Sequence, residues 1–559
     1  MHEPITPLTL GRPRFTDPAI AKLAAVNGNA AAWSATLAAG KAEALRGVQG
    51  DFAVAWPLSD GRALLAADRF AVRSLCWRIV DGQLHVAERA DDLARIEPAA
   101  AIDPQSIFDY LFFHVIPSPR TIFAGVYRIP AGHAGIFAGG AMTVNPWWVP
   151  DFNESPAGDF EPLAAEFRQL LEGAVKRQLS DGKAACFLSG GTDSSTVAGM
   201  IGRATGSPPA TYSIGFEAEG YDEMEFARIA ARRFGAEHHE YYVTPADLVQ
   251  SMADVAGHYD QPFGNSSVLP AFYCAKMARE DGVTRLLAGD GGDELFGGNS
   301  RYAKQRIFGW YDQVPGALRS SLVEPLVGIK ALHALPPVRK ASSYVEQARV
   351  PMPDRLQLYN LLTRLGVDAV FTPGFLASVD RQAPVQHQRK VWAEPRTHEW
   401  LNRTLAFDWR YTLAEADLPK VCGSTRLAGV DVAFPFLDDR LLDFSMRLPV
   451  DYKLKGLKLR WFFKEALRGF LPDEIITKKK QGFGLPFGVW ATRNDALHRL
   501  AADALGSLAT RSVVRADFIK TLLSEHLPAH PGYYGEMVWI LTMLELWLQG
   551  HAPNHRVAT

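Results

Sequence analysis

A chain of 559 residues with 47% hydrophobic content can bury several cores, about two to four domains by length. Its 59 basic and 61 acidic side chains nearly cancel to a formal net charge of −2, which excludes a general electrostatic grip on nucleic acid. The 4 scattered cysteines show no CxxC spacing, no run of about 20 apolar residues exists, and Met1-His2-Glu3-Pro4 does not begin a basic-then-apolar signal. Together these exclude a disulfide scaffold, a membrane span and a signal peptide, and predict a reducing, cytoplasmic setting.

Residues 1 to about 150 read as β-rich. Phe52–Trp56 and Ala63–Ala67 are short apolar runs parted by the turn Ser59-Asp60-Gly61. Val80-Asp81-Gly82-Gln83 separates Leu75–Ile79 from Leu84–Ala87, and Tyr127 to Val149 continues in short strands. This is an antiparallel pattern. Pro150 to Pro156 turns polar and proline-bearing, as a linker does. The chain is therefore divided into 1–155 and 156–559.

A helix is predicted over Pro162–Leu179. Strands and helices then alternate: strand Ala184–Leu188, helix Ser195–Ala204, strand Ala210–Phe216, helix Glu223–Phe234, strand His239–Val243, helices Pro245–His258 and Pro270–Arg279, strand Thr284–Ala288. The fold class is α/β, a parallel sheet covered on both faces behind the antiparallel N-terminal part. From about 300 onward helical patterns dominate, and the Trp-, Leu- and Met-rich helix Tyr534–Leu548 has a packing role.

Two loops carry chemistry. Ser189-Gly190-Gly191-Thr192-Asp193-Ser194-Ser195 lies between a strand and a helix. Its glycines let the backbone approach an anion, its serine hydroxyls can donate, and the helix aims free N–H groups at phosphate. Phosphate alone would repel Asp193, so the carboxylate implies Mg²⁺ between them. The loop lacks the Gly-Lys-Ser/Thr ending of a Walker A sequence, and suits transfer of AMP, with the pyrophosphate end of ATP held. Gly289-Asp290-Gly291-Gly292-Asp293-Glu294 follows the strand Thr284–Ala288, so both loops can face one crevice. Asp193 and Asp293 are the metal-side carboxylates. In Lys478-Lys479-Lys480, one lysine near the site could neutralise charge developing on acyl-phosphate oxygens. His238 and His239 are adjacent and face opposite ways in a strand, which favours structural roles over a metal site. Cys186, in the strand before the loop, reads as a packed thiol.

These loops, with Thr211–Phe216, Asp260–Phe263, Phe434-Pro435-Phe436-Leu437-Asp438 and Lys480-Gln481-Gly482-Phe483, resemble the asparagine synthetase family of N-type ATP pyrophosphatases over about residues 160–495. The resemblance implies that a substrate carboxylate attacks the α-phosphate of ATP. An acyl-adenylate and Mg-pyrophosphate form, and an amine then displaces AMP to leave an amide. It implies that Ser189, Gly190, Gly191, Asp193 and Ser194 cradle pyrophosphate, and that Leu188, Ser213 and Gly289 lie against the nucleoside. Asp193 and Asp293 would bind Mg²⁺, Lys480 would stabilise the transition state, and Asp290 would help deprotonate the amine.

The N-terminal part departs from the family. Glutamine-using members expose a cysteine directly after the initiator Met, whereas residue 2 is His2 and the first cysteine is Cys76. Gly50-Asp51-Phe52-Ala53 and Asp68-Arg69-Phe70 still resemble later strands of that domain, which is read as a degenerate glutaminase scaffold. Cys422-Gly423 stands where relatives carry Asp-Arg, and Ala433 where they carry arginine. Both changes are expected at the acceptor site, and count against aspartate as substrate. The resemblance thus points to members that close an amide within one molecule, lasso peptide cyclases first and β-lactam synthetases beside them. A lasso cyclase would take a precursor peptide as its carboxylate substrate and a leader-peptide peptidase as partner. An ammonia-using asparagine synthetase and a pseudo-synthetase binding subunit are the alternatives.

Overall fold

The computed structural model describes residues 5–153, 158–180, 182–313, 318, 344–478 and 484–557. His2, the 154–157 segment containing the expected boundary, and Lys480–Phe483 lie outside them.

The N-terminal part is built on a five-stranded antiparallel sheet of β1 (Leu8–Gly11), β2 (Phe52–Pro57), β3 (Ala63–Ala67), β7 (His133–Ala138) and β8 (Ala141–Pro146), in that spatial order. Strands β4 (Cys76–Val80), β5 (Gln83–Ala87) and β6 (Val126–Arg128) form a second sheet in the order β5-β4-β6. Period-two alternation sorts β2 between two cores. Phe52 and Val54 pack with Trp33, while Ala53 and Ala55 pack with Leu75 and Leu84. The predicted strands and turns are present. Two further helices are Pro18–Asn27, whose start is marked by Asp17 accepting from Ala19 and Ile20 with Pro18 at the first position, and Asn29–Thr36.

The second part carries a five-stranded parallel sheet. Its strands are β9 (Ala185–Phe187), β10 (Ala210–Phe216), β11 (Glu237–Val243), β12 (Arg285–Leu287) and β13 (Asp431–Ala433), ordered β11-β10-β9-β12-β13. The strand order reverses between the neighbours β9 and β12, so the crevice at their carboxyl ends is the sheet's natural binding place. The expected helices are Phe160–Gln178, Thr192–Thr205, Met224–Phe234, Pro245–His258 and Val268–Glu280. Helices dominate beyond residue 300, as expected, and β13 adds a three-residue edge strand paired Arg285↔Asp431 to Leu287↔Ala433. So short a strand leaves no periodicity to detect.

The helix Pro531–His551 is buried along most of its length, and its indole N–H groups anchor it. Trp539 donates to Gly264 O and Trp547 to Tyr259 O, each at 2.9 Å. Among the described residues no helix is long and apolar enough to cross a membrane.

Candidate active site

The two glycine loops meet at the reversal point. Gly190 adopts φ +70°, and a β-carbon there would lie 2.5 Å from Ala227 N, so only glycine fits between this turn and the helix Met224–Phe234. Gly289 lies so close to the other loop that a β-carbon would fall 2.8 Å from Ser194 N. A cavity of 1260 Å³ opens above them. Leu188, Ser189, Gly191, Asp193, Ser194, Gly289, Asp290 and Asp293 all line it.

Three other residues of the first loop and β10 have structural roles within the protein. Gly190 shapes the turn without lining the cavity. Ser195 is fully buried, so its hydroxyl cannot serve a ligand. Ser213 is buried and its hydroxyl donates to the Leu188 carbonyl, tying β10 to the loop; Ile214 lines the cavity there instead. Ser189 N donates to Ser194 Oγ at 3.1 Å, and the two hydroxyls lie 3.1 Å apart. The helix Thr192–Thr205 begins at this point with Gly191 as its cap residue. Its first free N–H groups and positive dipole end therefore face the cavity.

Asp193 and Asp293 converge on one cation, the Arg460 guanidinium. Nη1 donates to Asp293 Oδ1 at 2.7 Å and to Asp193 Oδ2 at 3.1 Å, and Nη2 is bonded to Asp193 Oδ1. Two carboxylates that share one cation can share another, so the pair fits a Mg²⁺ site completed by phosphate oxygens, the usual manner of holding that ion. Among the described residues no group of three or more His, Cys, Asp or Glu side chains could hold a metal alone.

Beside the pair lies a cluster that sequence reading did not assemble. Residues Trp409–Asp417 form a π-helical stretch leading into the helix Leu418–Ala428, and this delivers Asp417 and Lys420 to the cavity. Lys420 Nζ lies 2.9 Å from Asp417 Oδ1 and 3.7 Å from Asp290 Oδ1. Burial works against the Lys420 ammonium, but Asp417 and Asp290 outweigh it and hold its pKa above the ordinary lysine range. Burial pushes Asp290 up to about 6, with Lys420 opposing. Burial, with Asp417 and Asp408 nearby, pushes Glu294 up to about 8.

Of the three clustered lysines, Lys478 is described. Its Nζ lies 2.8 Å from Glu223 Oε1 and 4.3 Å from the Phe226 ring centroid, and donates at 3.5 Å to Gly190 O. The histidines do split between the two faces of β11. His238 Nδ1 lies 2.9 Å from Thr211 Oγ1, while His239 stacks on Tyr212 at 4.8 Å. Cys186 is buried, as expected.

The expectation for Cys422-Gly423 and Ala433 is corrected: none of the three lines the large cavity. Ala433 faces a separate 150 Å³ cavity between the N-terminal part and β13, rich in arginine and aspartate. Cys422 Sγ lies 3.7 Å from Val72 O on the same side. Gly423 admits the Tyr259 ring, 2.4 Å from where a β-carbon would stand, and Tyr259 OH donates to Lys420 O at 3.0 Å. These changes bear on the contact between the two parts of the chain and on seating the helix that carries Lys420.

The far wall of the large cavity brings together distant segments. Phe113, His114 and Val115 come from the N-terminal part, Asn265 and Ser266 precede the helix Val268–Glu280, and Glu536 lies on the helix Pro531–His551. His114 Nδ1 and Glu536 Oε1 are 3.6 Å apart. Burial pushes His114 down to about 4 and Glu536 up to about 7.

The sequence profile of the asparagine synthase family matches residues 166–549, and that of a glutamine amidotransferase domain matches residues 33–148. Asparagine synthetase (glutamine-hydrolyzing) 1 of Bacillus subtilis (strain 168) is 24% identical over 519 residues, spanning 91% of this chain and 78% of that protein. Asparagine synthetase (glutamine-hydrolyzing) 3 of the same organism is 23% identical over 457 residues, 78% of this chain and 67% of that protein. Amidase chyE of Penicillium rubens is 25% identical over 516 residues, 81% of this chain and 71% of that protein.

Proposed function

Because this chain belongs to the asparagine synthase family, we propose that it is an ATP-dependent carbon–nitrogen ligase that adenylates a substrate carboxylate, releases pyrophosphate and joins the acyl group to an amine. The observation that carries this reading is the meeting of two glycine loops at the sheet's reversal point, with Asp193 and Asp293 on one cation and Asp290 beside them. Asp193 and Asp293 would hold Mg²⁺, which neutralises polyphosphate charge. Backbone N–H groups at the start of the helix Thr192–Thr205, with the hydroxyls of Ser189 and Ser194, would receive the pyrophosphate oxygens. Leu188 and Gly289 lie on the side assigned to the nucleoside. Asp290 would accept the proton of the attacking amine, and Lys480 would counter charge on the acyl phosphate.

On this reading residues 1–155 are a glutaminase-like scaffold and residues 156–559 carry the synthesis. The single cysteine of the first part, Cys76, is buried and its thiol is pushed up by burial, so it is no nucleophile. We propose ammonia or an amine of the substrate itself as the nitrogen source. The cavity's 1260 Å³ exceeds the roughly 300–1,000 Å³ of a usual small-molecule site, which favours a nucleotide together with a large acceptor. We propose a substrate that carries both carboxylate and amine, such as a precursor peptide closed into a macrolactam.

The test compares acceptors in the presence of ATP and Mg²⁺. Precursor-like peptides with a free α-amine and an acidic side chain are expected to give pyrophosphate and a product lighter by one water, while aspartate with ammonia gives little. Robust turnover of aspartate with ammonia would overturn the intramolecular reading and favour the simpler synthetase. No pyrophosphate from any acid, together with no ATP binding, would leave a pseudo-synthetase.

A further inference from the structure

We propose that Arg460 is an exchangeable counter-ion, which holds the two metal-side carboxylates together in the free enzyme and turns its donors to the polyphosphate when metal and nucleotide arrive. The inference rests on the assignment of Asp193 and Asp293 as the Mg²⁺ carboxylates.

Arg460 is built into its place with unusual care. It is 5% exposed and stands at φ +55°, ψ +36°, left-handed backbone that a non-glycine residue seldom adopts. This conformation starts the helix Trp461–Ala466, and the guanidinium carbon lies 4.0 Å from the Phe463 ring centroid, a cation–π seat on the same helix. Its fork joins both loops, since Nη1 also donates to Thr192 Oγ1 at 2.8 Å. Two glycines leave room for the cluster. A β-carbon at Gly292 would fall 2.4 Å from Asp193 Oδ1, and one at Gly298 would fall 1.7 Å from Asp293 Oδ1 and 2.6 Å from Arg460 Cδ.

The charges say what this arrangement does. Two carboxylates close together repel, and a guanidinium between them relieves the repulsion with one positive charge and a planar set of donors. A divalent ion needs the same lone pairs and brings twice the charge, so guanidinium and metal compete for Asp193 and Asp293. Thr192 opens the helix that faces the phosphates. A guanidinium released there has its donors at the place where anionic oxygens arrive, and the Phe463 seat keeps the charge at hand.

Two binding measurements test the exchange, neither of them turnover. Binding of Mn²⁺ alone is followed by electron paramagnetic resonance, and binding of α,β-methylene-ATP in saturating Mn²⁺ by calorimetry. In R460M, loss of the competing cation is expected to tighten Mn²⁺ about tenfold, while loss of the phosphate donors weakens the nucleotide about tenfold. R460K, a point charge without the fork, should fall between wild type and R460M in both, and guards against a misfolded R460M. A structural role would weaken both ligands together; that result, or no change in either, overturns the exchange. D193N is measured in parallel. If it binds Mn²⁺ as wild type does, the metal assignment itself fails and the inference with it. If D193N loses Mn²⁺ while R460M does not tighten it, the exchange alone fails.

Discussion

Replacing Asp193 with alanine is expected to abolish pyrophosphate release, a fall of about 10³-fold or more, since charge stabilisation by a bound metal supplies several kcal/mol. Asp193 stands in the first turn of the helix Thr192–Thr205, lines the cavity and shares the Arg460 guanidinium with Asp293. Its loss would leave one carboxylate where a metal bridging protein and polyphosphate needs two. The fold should survive, because Arg460 keeps Asp293 and Thr192 as partners. Thermal melting of the variant checks that point, and pyrophosphate release at saturating Mg²⁺ and ATP reads the effect. A folded D193A that kept its rate would refute the metal assignment.

Asp290 gives the second large effect. A base must be ionised to accept a proton, and burial raises this carboxyl to about 6 while Lys420 opposes the rise. The sign follows directly: the active carboxylate is present above that pKa and lost as pH falls through it. Amide formation should therefore decline below pH of about 6, and D290N should lose about 10²–10⁴-fold in rate together with that acid limb. Adenylation does not need this base, so exchange between pyrophosphate and ATP should persist in D290N. A variant that retains the acid limb would assign it to another group, with Asp290 no longer the base.

The parts of the site that lie within one loop were legible in the sequence, because strand, glycine turn and helix follow one another in Ala185–Thr205 and again in Arg285–Phe296. Their meeting followed from the parallel-sheet rule, and Gly289 against Ser194 is its physical form. The cations that answer these acids were not legible. Arg460 lies 167 residues from Asp293 and 267 from Asp193, and Lys420 reaches Asp290 only because the π-helical stretch Trp409–Asp417 sets the direction of the next helix. Left-handed backbone at an arginine leaves no mark in a sequence. Ser213 shows a role that the motif does not reveal: its hydroxyl ties β10 to the loop through Leu188. Cys422, Gly423 and Ala433 were expected at the acceptor site, but in space Cys422 and Ala433 face the N-terminal part of the chain, while Gly423 packs on Tyr259. Distance along the chain, which local pattern does not encode, separates the two kinds of result.

In the proposed reaction ATP is cleaved between its α- and β-phosphates while a carboxylate is converted to an amide. The direct measurement incubates the enzyme with Mg²⁺, ATP labelled in the α-phosphate and a peptide bearing an amine and an acid, and follows nucleotide and peptide together. Label is expected in AMP, with pyrophosphate and amide formed in equal amounts and no glutamate released from added glutamine. Label appearing in ADP, with inorganic phosphate accompanying the amide, would contradict it.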